Sequence, residues 1–210
     1  MFFKMSVLKK MMKNAYKGGR LIVGNSTVGE TEEQEGMEGY VISSGWWSLW
    51  IMKEHTPKEL KAAVMELCGE IPYEGRWFKA TESMGNQEMI PFTDELHPAH
   101  LFATSKKPVS VTKLLMITNQ SKVARILQCE EGGEVSAINE MIIDLIDPKA
   151  IDEEAGEYAP IGPVTKDNSC FSWGNNVCYF NVWPIILLNE EKEAERKQFY
   201  NELGAMFLPI

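Results

Sequence analysis

Apolar positions along the chain follow either a helical or a strand period, and the changes between them mark its elements. Near the start, Val7, Leu8, Met11, Met12 and Ala15 share one helical face, with Lys9, Lys10, Lys13 and Lys17 elsewhere. Gly18-Gly19 ends that helix. Strands are expected around Leu21–Val23 and Tyr40–Ile42. After "SSG" comes "WWSLWIM", apolar on both alternation sets: Trp46, Trp50 and Met52 on one, Trp47, Leu49 and Ile51 on the other. A strand apolar on both faces belongs in the middle of a sheet covered on both sides. An aromatic ligand platform is the sharper reading of these tryptophans, and core packing is the commoner fate.

The clearest helix is "TPKELKAAVMELCG". Thr56 is expected to cap it, with Pro57 at the first helical position, Glu59 completing a capping box and Gly69 ending it. Leu60, Ala63, Val64 and Leu67 form its buried stripe. "EGRWFKATES" reads as a short strand, and Gly85 to Pro108 as a long irregular loop punctuated by Pro91, Pro98 and Pro108. Loops of that length are often functional. Strands resume at Val109–Thr118 and Lys122–Cys129, then turn through "EEGGE" into Val135. "INEMIIDLI" spaces Ile138, Met141, Ile142 and Leu145 as a helix capped by Asn139 or Ser136.

"CFSWGNNVCYFNVW" reads as a hairpin turning at Asn175-Asn176. That puts Phe171, Trp173, Cys178 and Phe180 on one face, with Ser172, Tyr179 and Asn181 on the other. A charged terminal helix, capped by Asn189, has Phe199, Leu203, Met206 and Phe207 as its apolar side. The fold class expected is α+β: a mainly antiparallel sheet with amphipathic helices on it. Residues 1–210 are read as one domain, with a helix-plus-loop insertion at 54–108.

Charge modifies this picture at one end only. The net charge is −9 and the pI about 5.0, which argues against a general nucleic-acid binder. Yet Lys4, Lys9, Lys10, Lys13, Lys17 and Arg20 all precede the first acidic residue, Glu30. A basic helix can face phosphates on an otherwise acidic protein. The four cysteines form no C-x-x-C pair and read as reduced thiols of a cytoplasmic protein. "MFFKMSVLKKMM" lacks the uninterrupted apolar stretch of an export signal, and no run approaches a membrane span.

Two stretches invite a chemical reading. "RLIVGNSTVGETEEQEG" has the frame of a phosphate-binding loop, Gly24-x-x-x-x-Gly29, with Thr31 following. Glu30 stands where the lysine belongs and Glu32, Glu33, Glu35 and Glu38 follow, so a triphosphate would be repelled. The expected outcome is a strand leading into an acidic surface connection. "DELHPAH" gathers Asp94, Glu95, His97 and His100; of these, Asp94, His97 and His100 are candidate ligands for a divalent metal in a metal-dependent enzyme. No motif of a metalloprotease, serine hydrolase or dinucleotide-binding site occurs, and no cofactor is expected. Cys68, Cys129, Cys170 and Cys178 lie in apolar elements, where inert core cysteines are the rule.

The order of elements carries one resemblance. The helix "VLKKMMKNA", the strands after it and "VISSGWWSLWIM" resemble the opening of a domain in bacterial sliding clamps, the processivity factors of DNA polymerase. "VSAINEMIIDLI" looks like the second clamp helix, and "GPVTKDNSCFSWGNNVCYFNVWPIIL" is similar to a clamp's closing hairpin. The resemblance covers about half the chain in two blocks. It implies helices lining a DNA channel, no catalytic residues, and phosphate contacts from Lys4, Lys9, Lys10, Lys13 and Lys17. Duplex DNA and replication proteins would be the partners, in a homo-oligomeric ring. The alternative is a protein-interaction module unrelated to DNA, using its acidic face or the tail "GAMFLPI".

Overall fold

The computed structural model describes residues 1–29, 35–118, 121–185 and 190–210, the last without the side chains of 190–193 and 196. Its framework is a sheet of eleven strands. In chain order these are β1 (Leu21–Val28), β2 (Met37–Ser44), β3 (Trp47–Met52), β4 (Trp77–Thr81), β5 (Gly85–Glu88), β6 (Lys107–Ile117), β7 (Val123–Cys129), β8 (Val135–Asn139), β9 (Ile161–Thr165), β10 (Phe171–Gly174) and β11 (Cys178–Val182). They lie side by side as β5-β4-β1-β2-β3-β11-β10-β9-β6-β7-β8. Every neighbouring pair is antiparallel. The fold is therefore α+β with a large antiparallel sheet, as the alternation of apolar positions implied.

Three helices cover one face: α1 (Met5–Lys17), α2 (Lys58–Cys68) and α4 (Met141–Leu145), with α1 packed against both others. Leu8, Met11 and Met12 of α1 sink fully into a core shared with Leu60 and Val64 of α2 and Ile142 and Leu145 of α4. The sheet contributes Trp47, Leu49, Ile51, Phe78, Phe171 and Phe180 to it. Burial of each such side chain contributes about 1.5–3 kcal/mol, which is why the lysine-free stripe of α1 fixes its orientation. The capping of α2 differs from expectation. Thr56 donates its hydroxyl to the Met52 carbonyl at 2.9 Å, and Pro57 occupies the cap position with no side-chain bond there. Gly69 does end the helix, in the left-handed conformation at φ 73°.

β3 is central, as its two apolar faces required, and Trp50 and Met52 project to the opposite side from Trp47, Leu49 and Ile51. On that opposite face Trp50, Val41 and Trp77 cluster with Ile22, Met89, Phe92 and Tyr179. Its cover is a strap, residues 89–105, which contains a 3-10 turn at Asp94–Leu96 and α3 (Pro98–Thr104). The stretch from Gly85 to Pro108 is thus not wholly irregular. It holds β5, the 3-10 turn and α3, because Pro98 starts a helix in the same place where it breaks a strand. Residues 54–108 as a whole contribute α2, β4, β5 and α3, and β4 pairs directly with β1.

Two further elements depart from the sequence pattern. "INEMIIDLI" is only half helical: Val135–Asn139 is β8, and α4 begins at Met141 after the Asn139 side chain accepts its backbone N–H at 3.0 Å. Strand pairing with β7 wins over the helical spacing of Ile138. The β10–β11 hairpin pairs Phe171 with Val182 and Gly174 with Tyr179, so four residues, 175–178, lie beyond the last pair. Asn175 accepts the N–H groups of Val177 and Cys178 on its side-chain oxygen, and this Asx turn takes up the two extra residues. The slip is by two positions, so both faces keep the side chains expected of them. In α5 (Glu190–Gly204), Phe199 is exposed, and Met206 and Phe207 beyond it are exposed too; Tyr200, Leu203 and Leu208 make the contact with Ala124, Ile126 and Ala137 instead. Asn189, the expected cap, lies outside the described residues.

Candidate functional site

The basic face of α1 follows from the same periodicity that builds the core. With Leu8, Met11, Met12 and Ala15 facing inward, Lys9, Lys13 and Lys17 fall on one outward line and Lys10 beside it. At the helical rise this line runs about 12 Å. All four lysines and Lys4 at the helix start are exposed, and among the described residues none forms an ion pair. Lys17 sits in the last turn, where the helix dipole favours a cation. The flanking helices add mixed charge: Lys58, Glu59, Lys61 and Glu66 on α2, Asp144 on α4. Glu140, just before α4, is held by Arg125, whose guanidinium it keeps above the usual range, so its charge is locally neutralised.

The structure spreads out the histidine loop. Asp94 lies in the 3-10 turn, His97 caps α3 and His100 is exposed on it. His97 is committed at both ring nitrogens: Nδ1 accepts from the Ala99 N–H at 3.3 Å, and Nε2 lies 2.9 Å from Ser26 Oγ. Among the described residues, no three His, Cys, Asp or Glu side chains converge as a metal site. Burial pushes His97 down to about 4, with Asp94 opposing and His100 reinforcing the shift, so the ring is neutral at pH 7. The Ser26–His97 pair looks like a nucleophile and its base, but the tautomer is the wrong one. An Nδ1 that accepts from a backbone N–H leaves the proton on Nε2, and that nitrogen donates to the serine instead of deprotonating it. This pair is a latch for the strap.

The other candidate chemistries resolve similarly. Gly24 lies inside β1, paired with Val41 of β2, so the segment with the phosphate-loop frame is a strand as far as Val28, as expected. A Cβ on Gly24 would sit 2.2 Å from the Trp77 ring, so the glycine is there to admit an indole. Glu30, Thr31, Glu32 and Glu33 lie outside the described residues. All four cysteines are unpaired. Burial raises Cys68 and Cys170 to about 12 and also raises Cys129 and Cys178, which disarms all four as nucleophiles at neutral pH. Among the described residues no helix is long and apolar enough to cross a membrane.

No family model, curated protein or solved structure matches this chain.

Sequence reasoning missed a polar row beneath the strap. Ser43, Ser48, Asn181 and Ser172 stand in register across β2, β3, β11 and β10, all at most 2% exposed. Ser172 donates to Asn181 Oδ1 at 2.6 Å, and Asn181 Nδ2 donates to the Pro98 carbonyl at 3.1 Å. The signal was present in "CFSWGNNVCYFNV": a polar set on a strand otherwise apolar enough to be central requires polar partners in its cover. A groove of about 520 Å³ also opens between α5 and the β8 edge, lined by Gly133, Ala137, Asn168, Ile185 and Asn201.

Proposed function

We propose that this chain is a non-enzymatic, cytoplasmic binding protein that docks on duplex DNA through the basic face of α1, in the manner of a sliding-clamp domain or a replication accessory. The observation that carries this reading is the line of lysines on α1, solvent-exposed and free of internal carboxylate partners among the described residues. A helix layer on an antiparallel sheet, with the basic helix in its middle, supports the same reading. Contacts of this kind go to phosphates and carry no sequence information. The unpaired cysteines fit a reducing compartment.

The test is fluorescence anisotropy of a labelled duplex over a salt series. Engagement of four lysines gives a slope of log K against log salt of roughly −3 to −4. The Lys9→Glu, Lys10→Glu, Lys13→Glu variant should abolish binding while leaving circular dichroism unchanged. Binding that survives the triple change removes this surface from consideration. A second reading, docking of a protein partner, rests on the exposed Met206, Phe207 and Ile210, with Phe207 wholly in solvent. Light scattering of the purified chain bears on both: a ring needs several copies around a duplex.

A further inference from the structure

The strap-covered face has the chemistry of a binding floor. Trp50 stacks on Tyr179 with ring centroids 5.4 Å apart, and Tyr179 stacks in turn on Phe102 of α3 at 5.2 Å. Trp77 continues the aromatic row and meets Phe92 of the strap at 5.0 Å. Beside that row runs the polar one, Ser43, Ser48, Asn181 and Ser172. Two of the groups in these rows, Ser48 Oγ and Trp50 Nε1, are fully buried and without a hydrogen-bond partner among the described residues. A buried orphan donor costs about 1–3 kcal/mol; β3 carries a third, Trp47 Nε1, on its other face, and the two on the strap face lie among polar neighbours.

The cover is lightly attached. Met89 N–H bonds to the Trp77 carbonyl and Lys106 N–H to the Thr165 carbonyl. Between those two ties, the backbone hydrogen bonds of the strap stay within it: Leu96 to Thr93, His97 to Asp94, Leu101 to His97, Ser105 to Phe102. Its hold on the sheet is by side chains, through His97–Ser26, Asn181–Pro98, Ser105–Ser172 and the two ring contacts. Ile90 and Leu96 of the strap are 86% and 52% exposed. With Met89 as its fixed end, the strap can therefore lift beyond that residue without breaking a rung of the sheet.

We infer that residues 89–105 are a lid, and that the floor beneath it takes a neutral saccharide. A pyranose ring presents a C–H face to an indole or phenol ring and a fringe of hydroxyls that both donate and accept. Ser48, Ser172, Asn181 and the Trp50 N–H match such a fringe. The two rows contain no side-chain charge, which selects against phosphates, carboxylates and cations. This site lies on the face of the sheet opposite α1 and is independent of DNA docking.

The experiment has two arms on the full chain. Native-state hydrogen exchange should show the strap amides and the Trp50 indole exchanging together, at least ~10-fold faster than the β3 and β11 amides. The Ser105→Cys, Ser172→Cys variant, whose parent oxygens are 3.4 Å apart, should suppress that opening when oxidised and restore it when reduced. In the second arm, saturation-transfer NMR uses a mixture of cellotriose, maltotriose, xylotriose, mannotriose and chitotriose. Signal is expected from at least one trisaccharide, stronger in Phe102→Ala, where the loosened strap raises the open population. Trp50 exchange that occurs only with global unfolding overturns the proposal. So does a Phe102→Ala protein that touches none of the five sugars.

Discussion

On one face of the sheet, α1, α2 and α4 bury Leu8, Met12, Leu60 and Ile142 against Trp47, Phe171 and Phe180, a contact made of apolar surface and little else. On the other, the strap rests on Trp50, Trp77 and Tyr179 through stacked rings, a histidine latch and hydrogen bonds to Asn181 and Ser172. The first cover is built to stay. The second is held by directional groups that can be exchanged for other partners. A sheet with two apolar faces thus supports stability on one side and leaves the other to adjustable contacts.

The largest expected effect tests the helix face. Phe180→Ala should cost about 3–5 kcal/mol in urea unfolding, as a cooperative loss of the whole molecule. Phe102→Ala, an aromatic truncation of the same kind on the strap, should cost only about 1–2 kcal/mol and act mainly on the local exchange of residues 97–105. Equal costs would erase the distinction. Next comes Gly24→Ala. The added methyl meets the buried Trp77 ring at 2.2 Å, and the overpacking should destabilise by about 1–3 kcal/mol. Near-wild-type stability there would mean that the strap-side cluster yields easily.

A smaller effect distinguishes the latch. His97 titrates near 4 in the fold against its ordinary 6.5, so the unfolded chain takes up the proton first as pH falls. The stability it confers is complete above about 6.5 and declines as pH falls toward 4. His97 shares its surroundings with Asp94 and His100, whose charges pull in opposite directions. Urea titrations across this window should show the decline in the wild type and a flatter profile in His97→Asn. An unchanged profile would assign the pH dependence to other groups. The smallest effect belongs to the exposed lysines: Lys9→Gln should alter stability by less than about 0.5 kcal/mol.

The helix face was legible because amphipathic periods report burial directly. Leu8, Met11 and Met12, and Leu60, Ala63 and Val64, needed nothing beyond their spacing. The central place of β3 was legible for the same reason, from its unbroken apolar run. The strap was not. Its helix is seven residues long, too short for a period to show, and its anchors, Asn181 and Ser172, lie 83 and 67 positions from their partners in the sequence. Among the described residues Asp94, His97 and His100 do not converge, and His97 spends both nitrogens on Ser26 and Ala99, a commitment that only the folded backbone reveals. The helical spacing read from Ile138 shows the converse: it holds from Met141, but at Ile138 and Asn139 pairing with β7 imposed a strand.

The seam between β3 and β11 has a consequence for how the protein is made. Ile51 pairs with Cys178 and Trp47 with Val182, so a tryptophan-rich strand waits for a partner that the ribosome delivers only after more than half the chain. At about 5–20 residues per second, that wait is on the order of ten seconds. Throughout it β3 presents an unpaired, apolar edge of the kind that seeds intermolecular pairing. That edge stays open until β11 has emerged, and the Cys178–Val182 pairing then closes the vulnerable interval.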